Sequence, residues 1–318
     1  MTKSVINKGG AKALRKQVQD VNPLGKRFEK ELLKQFDDLH SQNIWGDKEI
    51  EEYLLKDKQA EVEAMGVFPD YPKDLVKFNP SGASSADMDL WLKAMGYKEV
   101  SDLYPYHKRW TRNSTAVHEA IQHDLLYSEK YTNGAFRMAR MKNGLPAWEH
   151  NVLRWKEFDH RGVKFILHGM LDGILIHNAT GTRVGFEFKT KSNTIAQVGE
   201  YLMKGPYDYH VDQTVAYYLL TGVRDYLLVY EALAKPRWND MEDARPDMRA
   251  FHVYVTDEMA NNLLDKWAYV AQKVYDRELP DNQELGFFSG YKHLIHDGEF
   301  TGEAPERKVH YREWDKHE

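Results

Sequence analysis

The sequence predicts an α/β (α+β) fold in which a mixed β-sheet is flanked by helices, with a helical addition at the N-terminus. Apolar segments at 163–176 and 182–190 flank a polar turn that contains a glycine, which is typical of a β-hairpin. Apolar residues at helical spacing precede this hairpin at 114–131 and follow it at 208–221, where Gly222 marks the end of the second helix. Helices on both sides of a hairpin indicate a layered α/β core.

The N-terminal third of the chain is predicted to be mostly helical. Residues 26–64 are densely charged, with apolar residues at helical spacing, and predict two surface helices separated near Gly46. A loop rich in proline and glycine follows at 65–84, and a short helix is expected at 85–98. Residues 1–25 are polar and basic and are expected to form a loosely ordered arm.

The central helix at 114–131 has Ser114 as its expected N-cap and is preceded by an aromatic and basic run. Past the second helix, strands are expected at 225–233 and 249–256, separated by a polar loop at 234–248 that contains proline. A long helix from Thr256 to about residue 278 completes the pattern. We divide the chain into a helical region (1–100), a core (101–280) and an irregular tail (281–318).

Composition sets limits on the function. The chain has 318 residues, 42% of them hydrophobic, a formal net charge of −5 and no cysteine. Disulfides, cysteine-ligated zinc and iron–sulfur clusters are therefore excluded. No apolar run reaches the roughly 20 residues of a membrane span, and the N-terminus lacks the apolar core of a secretory signal. We expect a cytoplasmic protein that does not contact membranes.

Three charged residues lie within the apolar strands of the hairpin. Asp172 belongs to the first strand, and Glu187 and Lys189 to the second, in the pattern E-x-K. Residues two apart on a strand share a face, so Glu187 and Lys189 should lie side by side, with Asp172 delivered from the neighbouring strand. Such charges are costly unless they are paired or bind a metal. Carboxylates suit Mg²⁺ or Mn²⁺, so the sequence predicts a metal-dependent hydrolytic site.

With these residues the sequence resembles the PD-(D/E)xK nuclease superfamily, and within it the RecB-like and lambda-exonuclease-like branch, over about residues 110–232. The matching motifs are the helix start Ser114–Glu119, the G-x-x-D strand ending at Asp172, the E-x-K of Glu187 and Lys189, and the Q-x-x-x-Y of Gln213 and Tyr217. The sequence departs from the family where a glycine often precedes the first motif. Because His118 and Glu119 are adjacent, the first-motif ligand stays open between them, with His118 favoured by analogy.

The resemblance implies a restriction-endonuclease-like core and assigns roles to individual residues. Asp172, Glu187 and Lys189 would be catalytic, and Mg²⁺ (or Mn²⁺) would be held by His118, Asp172, Glu187 and the Phe188 carbonyl. Gln213 and Tyr217, four residues apart on one helix face, would support the site or contact substrate. Separately, the charge pattern makes Arg109, Arg112 and Lys191 candidates for DNA phosphate contacts.

The sequence thus predicts a metal-dependent DNA nuclease, more an exonuclease of recombination, repair or phage DNA processing than a site-specific restriction enzyme. Its location would be the host cytoplasm if it is phage-encoded. The alternative is a catalytically inactive nuclease fold that binds DNA or a partner protein. An unrelated phosphoesterase is disfavoured because a second Asp/His cluster is missing. The sequence leaves open the polarity of digestion, the preference for single or double strands and the preference for DNA or RNA. It also leaves open whether the protein forms a homo-oligomer or binds a recombination partner protein, and what the first hundred residues do.

Overall fold

The computed structural model describes residues 23–67, 70–100, 104–235 and 246–296. Within these ranges the chain forms two mixed β-sheets flanked by helices, which confirms the predicted α/β class. The expected N-terminal arm up to residue 22, most of the 234–248 loop and the tail beyond residue 296 lie outside the described residues.

Most of the helices and strands that the sequence predicts are present, but Val76–Phe78 forms a strand within the expected loop and Lys292–His296 forms a helix within the expected irregular tail. The helices are α1 (Pro23–His40), α2 (Lys48–Ala64), α3 (Asp87–Ala94), α4 (Pro105–Tyr131), α5 (Asp208–Thr221), α6 (Asp257–Asp276) and α7 (Lys292–His296). The strands are β1 (Val76–Phe78), β2 (Phe136–Met138), β3 (Arg154–His160), β4 (Val163–Gly169), β5 (Gly173–His177), β6 (Arg183–Lys191), β7 (Asp225–Ala232) and β8 (Met248–Tyr254).

The larger sheet has five strands in the order β2-β5-β6-β7-β8, and the smaller has three in the order β1-β4-β3. In the larger sheet β5 and β6 are antiparallel, whereas β6 and β7 are parallel. Parallel neighbours need a crossover, and α5 provides it. Helix α5 ends where expected, at Gly222, whose φ of 75° places it in the left-handed region that suits glycine.

The strand predicted over 163–176 is instead two strands that belong to different sheets. β4 pairs with β1 and β3, whereas β5 pairs with β2 and β6, and residues 170–172 join them. Gly169 ends β4 where the chain passes close to Pro80, since a Cβ at Gly169 would lie 2.5 Å from the Pro80 Cδ. Asp172 therefore lies in the link between the two sheets.

Helix α4 begins nine residues before the expected N-cap Ser114, which lies inside the helix instead. Pro105 occupies the first turn, where a missing N–H costs nothing, and starts the helix. The aromatic and basic run therefore forms the opening turns of α4.

Helices cover both faces of the five-stranded sheet. On one face Phe28, Leu32 and Phe36 of α1 form a buried cluster with Phe186 and Phe188 of β6. On the other face the core includes residues of α5 and α6, among them Tyr217 and Trp267. In the described part of the chain, no helix combines the length and apolar character needed to cross a membrane.

Candidate active site

The β5–β6 hairpin brings Asp172 and Glu187 to adjacent positions. Gly173 pairs with Phe186 in this ladder, so the residue before Gly173 lies beside the residue after Phe186. The main-chain N–H of Phe188 donates a hydrogen bond of 2.8 Å to Asp172 Oδ2. This bond fixes the Asp172 carboxylate against β6, as the predicted arrangement requires.

Glu187 is the most unusual side chain of the site. It is fully buried, at 0% exposure. Lys189 Nζ lies 2.5 Å from Glu187 Oε1 as an ion pair, yet among the described residues neither carboxylate oxygen has an aligned hydrogen-bond partner. A buried carboxylate with unused lone pairs is costly, and such groups are characteristic of sites built for a further ligand.

The charges of the site act on one another strongly. Burial raises the pKa of Glu187 to about 8, and the negative charge of Asp172 adds to this effect. Burial also works to raise the pKa of Asp172, but the contact with His118 outweighs it and lowers that pKa. Burial works to lower the pKa of Lys189, whereas the charges of Glu187 and Asp172 raise it overall. The negative charges of Asp172 and Glu187 therefore repel each other within the site.

His118, rather than Glu119, faces the carboxylates. His118 Nε2 lies 2.9 Å from Asp172 Oδ2, and Nδ1 lies 3.2 Å from Glu149 Oε1. Burial disfavours the charged imidazole, but these two carboxylates outweigh burial and raise the pKa of His118 to about 10. Glu119 is exposed. Of the two residues that the sequence left open, His118 is the one positioned at the site.

One stripe of α4 follows the ends of β5 and β6. Its members, spaced four residues apart, are Trp110, Ser114, His118 and Gln122. Besides His118, the other three residues form hydrogen bonds along the same line. Trp110 Nε1 donates to Ser192 Oγ (2.6 Å), and Ser114 Oγ accepts from Thr190 Oγ1 (2.9 Å). Gln122 Nε2 donates to the Asp172 carbonyl (2.9 Å). The helix therefore runs antiparallel to the end of β6 and aims His118 at Asp172.

Helix α5 carries Gln213 and Tyr217, the two residues of the Q-x-x-x-Y pattern. Gln213 Nε2 donates to the Tyr217 hydroxyl at 2.8 Å. Tyr217 is 4% exposed, and burial, together with the charges of Glu187 and Asp172, raises its pKa. The Tyr217 hydroxyl is therefore buried, with the Gln213 amide as its hydrogen-bond donor.

The predicted phosphate-contacting residues have different surroundings. Lys191 continues the Glu187–Lys189 face of β6, is half-buried and places Nζ 4.0 Å from the centre of the Tyr207 ring. Arg109 and Arg112 are exposed on the first turns of α4, well before His118. Trp110 between them is also exposed, at 43%.

The sequence analysis missed Glu149, which contacts His118. Glu149 begins a short 3-10 turn at Glu149–Val152, and its φ of 34° lies in the left-handed region that few non-glycine residues adopt. No periodic pattern surrounds it, so the sequence offers no local signal for its role.

The donor set fits a hard divalent cation. As the side chains are placed, the described residues contain no group of three or more His, Asp or Glu arranged to hold a metal ion. Mg²⁺, however, is commonly bound through one or two carboxylates and keeps several waters. Asp172 and the fully buried carboxylate of Glu187 supply such a pair.

Comparisons with known proteins give only distant likenesses. No family model matches the chain, and no curated protein matches it. A solved structure described as SSO0001 is 17% identical, with a TM-score of 0.34, over 68% of this chain and 84% of that chain. An alkaline exonuclease (LHK-Exo) from Laribacter hongkongensis is 12% identical, with a TM-score of 0.41, over 64% of this chain and 89% of that chain. LHK-Exo in complex with dAMP gives a TM-score of 0.40 at the same identity and coverage.

Proposed function

We propose that this protein is a metal-dependent nuclease that hydrolyses phosphodiester bonds in DNA. The observation that carries the proposal is the fully buried carboxylate of Glu187, which has no aligned hydrogen bond and lies beside Asp172 and Lys189. A buried carboxylate of this kind destabilises the fold, so we expect it to have a function. Two adjacent carboxylates are suited to binding a divalent cation.

Each residue of the site has a role in this proposal. Asp172 and Glu187 would hold Mg²⁺ or Mn²⁺, with His118 and the Phe188 carbonyl as further ligands. When bound, the ion supplies positive charge that offsets the phosphate and lowers the pKa of a water. Lys189 orients the attacking water and offsets charge that develops on the phosphate. The Gln213–Tyr217 pair, joined by its hydrogen bond, would support the site or contact the substrate.

The surface near the site suits a nucleic acid. Lys191 provides a cation on the same strand face as Lys189, and Arg109 and Arg112 provide exposed cations on α4. The exposed ring of Trp110 is fixed through its indole N–H, so its face is available for stacking on a base. Digestion from a DNA end, in recombination, repair or phage DNA processing, is the finer form of the proposal and rests on the sequence motifs alone.

The test compares linear duplex, circular duplex and single-stranded DNA, each with Mg²⁺, Mn²⁺ or EDTA. We expect cleavage that needs the metal, and a rate that falls about 10²–10⁴-fold in Lys189→Ala, because that variant loses the group that orients the water. The matched control is Lys164→Ala, since Lys164 also pairs with a strand carboxylate, that of Glu157 at 3.1 Å, but in the other sheet.

Two results would overturn the nuclease proposal. One is a wild-type protein that degrades none of the substrates with either metal. The other is a Lys189→Ala variant as active as Lys164→Ala. Loss of linear DNA with circular DNA left intact supports the exonuclease form, whereas cutting of circular DNA contradicts that form.

A further inference from the structure

Glu149 touches the site from a part of the chain that the nuclease motifs do not include. Its Oε1 lies 3.2 Å from His118 Nδ1, on the opposite side of the imidazole from Asp172. Its main-chain N–H donates a 2.8 Å hydrogen bond to the carbonyl of Leu171, the residue before Asp172. Side chain and main chain thus both connect Glu149 to the residues that present Asp172.

The turn that carries Glu149 is held by helix α2. Asp57 of α2 is 7% exposed and accepts hydrogen bonds from Trp148 Nε1 at 2.9 Å and from Asn151 Nδ2 at 2.6 Å. These two donors lie on either side of Glu149 in the sequence. Asp57 therefore clamps the turn at both ends while Glu149 keeps a φ of 34°. A sparsely populated backbone conformation persists only where its surroundings hold it.

We propose that Glu149 is a positioning residue for the metal centre, acting as the outer carboxylate that fixes the ring of His118. This inference rests on the proposed function, because it gives His118 the role of a ligand. Histidines that bind metals commonly donate their second ring N–H to a carboxylate, which sets the tautomer and the orientation of the ring. Glu149 occupies that place at Nδ1, and Nε2 then faces Asp172.

The inference gives the N-terminal helical region a function. A chain of contacts runs from Asp57 through the clamped turn to Glu149, then to His118 and Asp172. Helix α2 thereby helps to set the direction of a side chain in the site, although α2 itself lies outside the stretch that resembles nucleases.

The experiment measures Mn²⁺ binding without DNA, by the electron paramagnetic resonance signal of free Mn²⁺, in the full-length protein. Glu149→Gly removes the carboxylate and accommodates the positive φ, so the turn keeps its backbone. Glu149→Gln keeps an acceptor oxygen and removes the charge. We expect Mn²⁺ affinity to fall about 10–100-fold in Glu149→Gly and less in Glu149→Gln, with melting temperatures close to that of the wild type.

The matched control is Asp265→Asn, because Asp265 Oδ1 also contacts an imidazole, that of His160 at 2.6 Å, away from the carboxylate pair. Unchanged Mn²⁺ affinity in a folded Glu149→Gly protein would overturn the inference, as would an equal loss in Asp265→Asn. A wild type that binds no Mn²⁺ overturns both proposals. If the Mn²⁺ affinity of the protein depends on Glu149 but the wild type cleaves no DNA, the nuclease proposal alone is overturned. If the wild type cleaves DNA and Glu149→Gly binds Mn²⁺ normally, this inference alone is overturned.

Discussion

Glu187 and Lys189 share one face of β6, but their side chains differ in exposure to solvent. Lys189 keeps 25% of its side chain exposed, whereas the side chain of Glu187 has none. Burial consequently raises the pKa of Glu187 to about 8, although the same group titrates near 4.5 in a solvated chain. The residue proposed to hold the metal is therefore also one that the metal-free fold accommodates poorly when it is ionised.

Replacing Glu187 with glutamine should change how the stability of the metal-free protein depends on pH. The folded protein keeps a proton on Glu187 that the unfolded chain releases above about pH 4.5. The contribution of this proton to the free energy of unfolding is therefore complete below pH 4.5 and is lost as the pH rises through about 8. We expect the wild type in EDTA to lose up to about 4 kcal/mol more than Glu187→Gln between pH 5 and pH 8. Urea unfolding at both pH values checks this, and parallel losses in the two proteins would contradict it.

At the scale of secondary-structure elements, α5 places a second titratable group beside the site face of the sheet. His210 is 7% exposed, and its Nδ1 lies 2.8 Å from the Tyr230 hydroxyl. Burial, followed by the positive charges of Lys189 and Lys191, lowers the pKa of His210 to about 3. The packing of α5 on the sheet therefore requires a neutral imidazole.

The variant His210→Gln should make the protein less sensitive to acid. The unfolded chain binds a proton at this histidine below about pH 6.5, but the folded protein does not. The stability that the neutral imidazole contributes is therefore present above pH 6.5 and is lost as the pH falls toward 3. We expect the wild type to lose about 2 kcal/mol more than His210→Gln between pH 7.5 and pH 5. Denaturant unfolding at the two pH values measures the difference, and an equal acid sensitivity of the two proteins would rule the explanation out.

The elements also differ in how far the sequence predicts them. The β5–β6 hairpin and α5 were predictable because alternation, helical spacing and Gly222 are local signals. The break at 170–172 was not, because both strands it separates are apolar and only the approach of Pro80 to Gly169 shows why the chain turns there. Glu149 was beyond prediction for a similar reason, since its position depends on Asp57, which lies far away in the sequence.

At the scale of the whole molecule, helix α1 of the N-terminal region packs against the larger sheet. Phe28, Leu32 and Phe36 of α1 are each 0% exposed and share a cluster with Phe186 and Phe188. In addition, β1 of this region pairs with β4 in the smaller sheet. These contacts give the N-terminal region and the core a shared interior.

The variant Phe36→Ala tests whether the two regions unfold together. Loss of this fully buried ring should cost about 3–5 kcal/mol and should shift a single transition, followed by both circular dichroism and tryptophan fluorescence. The matched control is Phe287→Ala, because Phe287 is 81% exposed and should contribute little. Two separate transitions, of which only one moves, would instead support an N-terminal region that folds as an independent domain.

The contact between α1 and β8 has a consequence for the order of events during synthesis. Glu29 Oε1 accepts a 2.9 Å hydrogen bond from the main-chain N–H of His252, a partner 223 residues later in the chain. At translation rates of about 5–20 residues per second, β8 is synthesised on the order of ten to forty seconds after α1. During that interval its apolar face lacks its final cover, so newly made chains have a period of vulnerability to aggregation that the completed protein does not share.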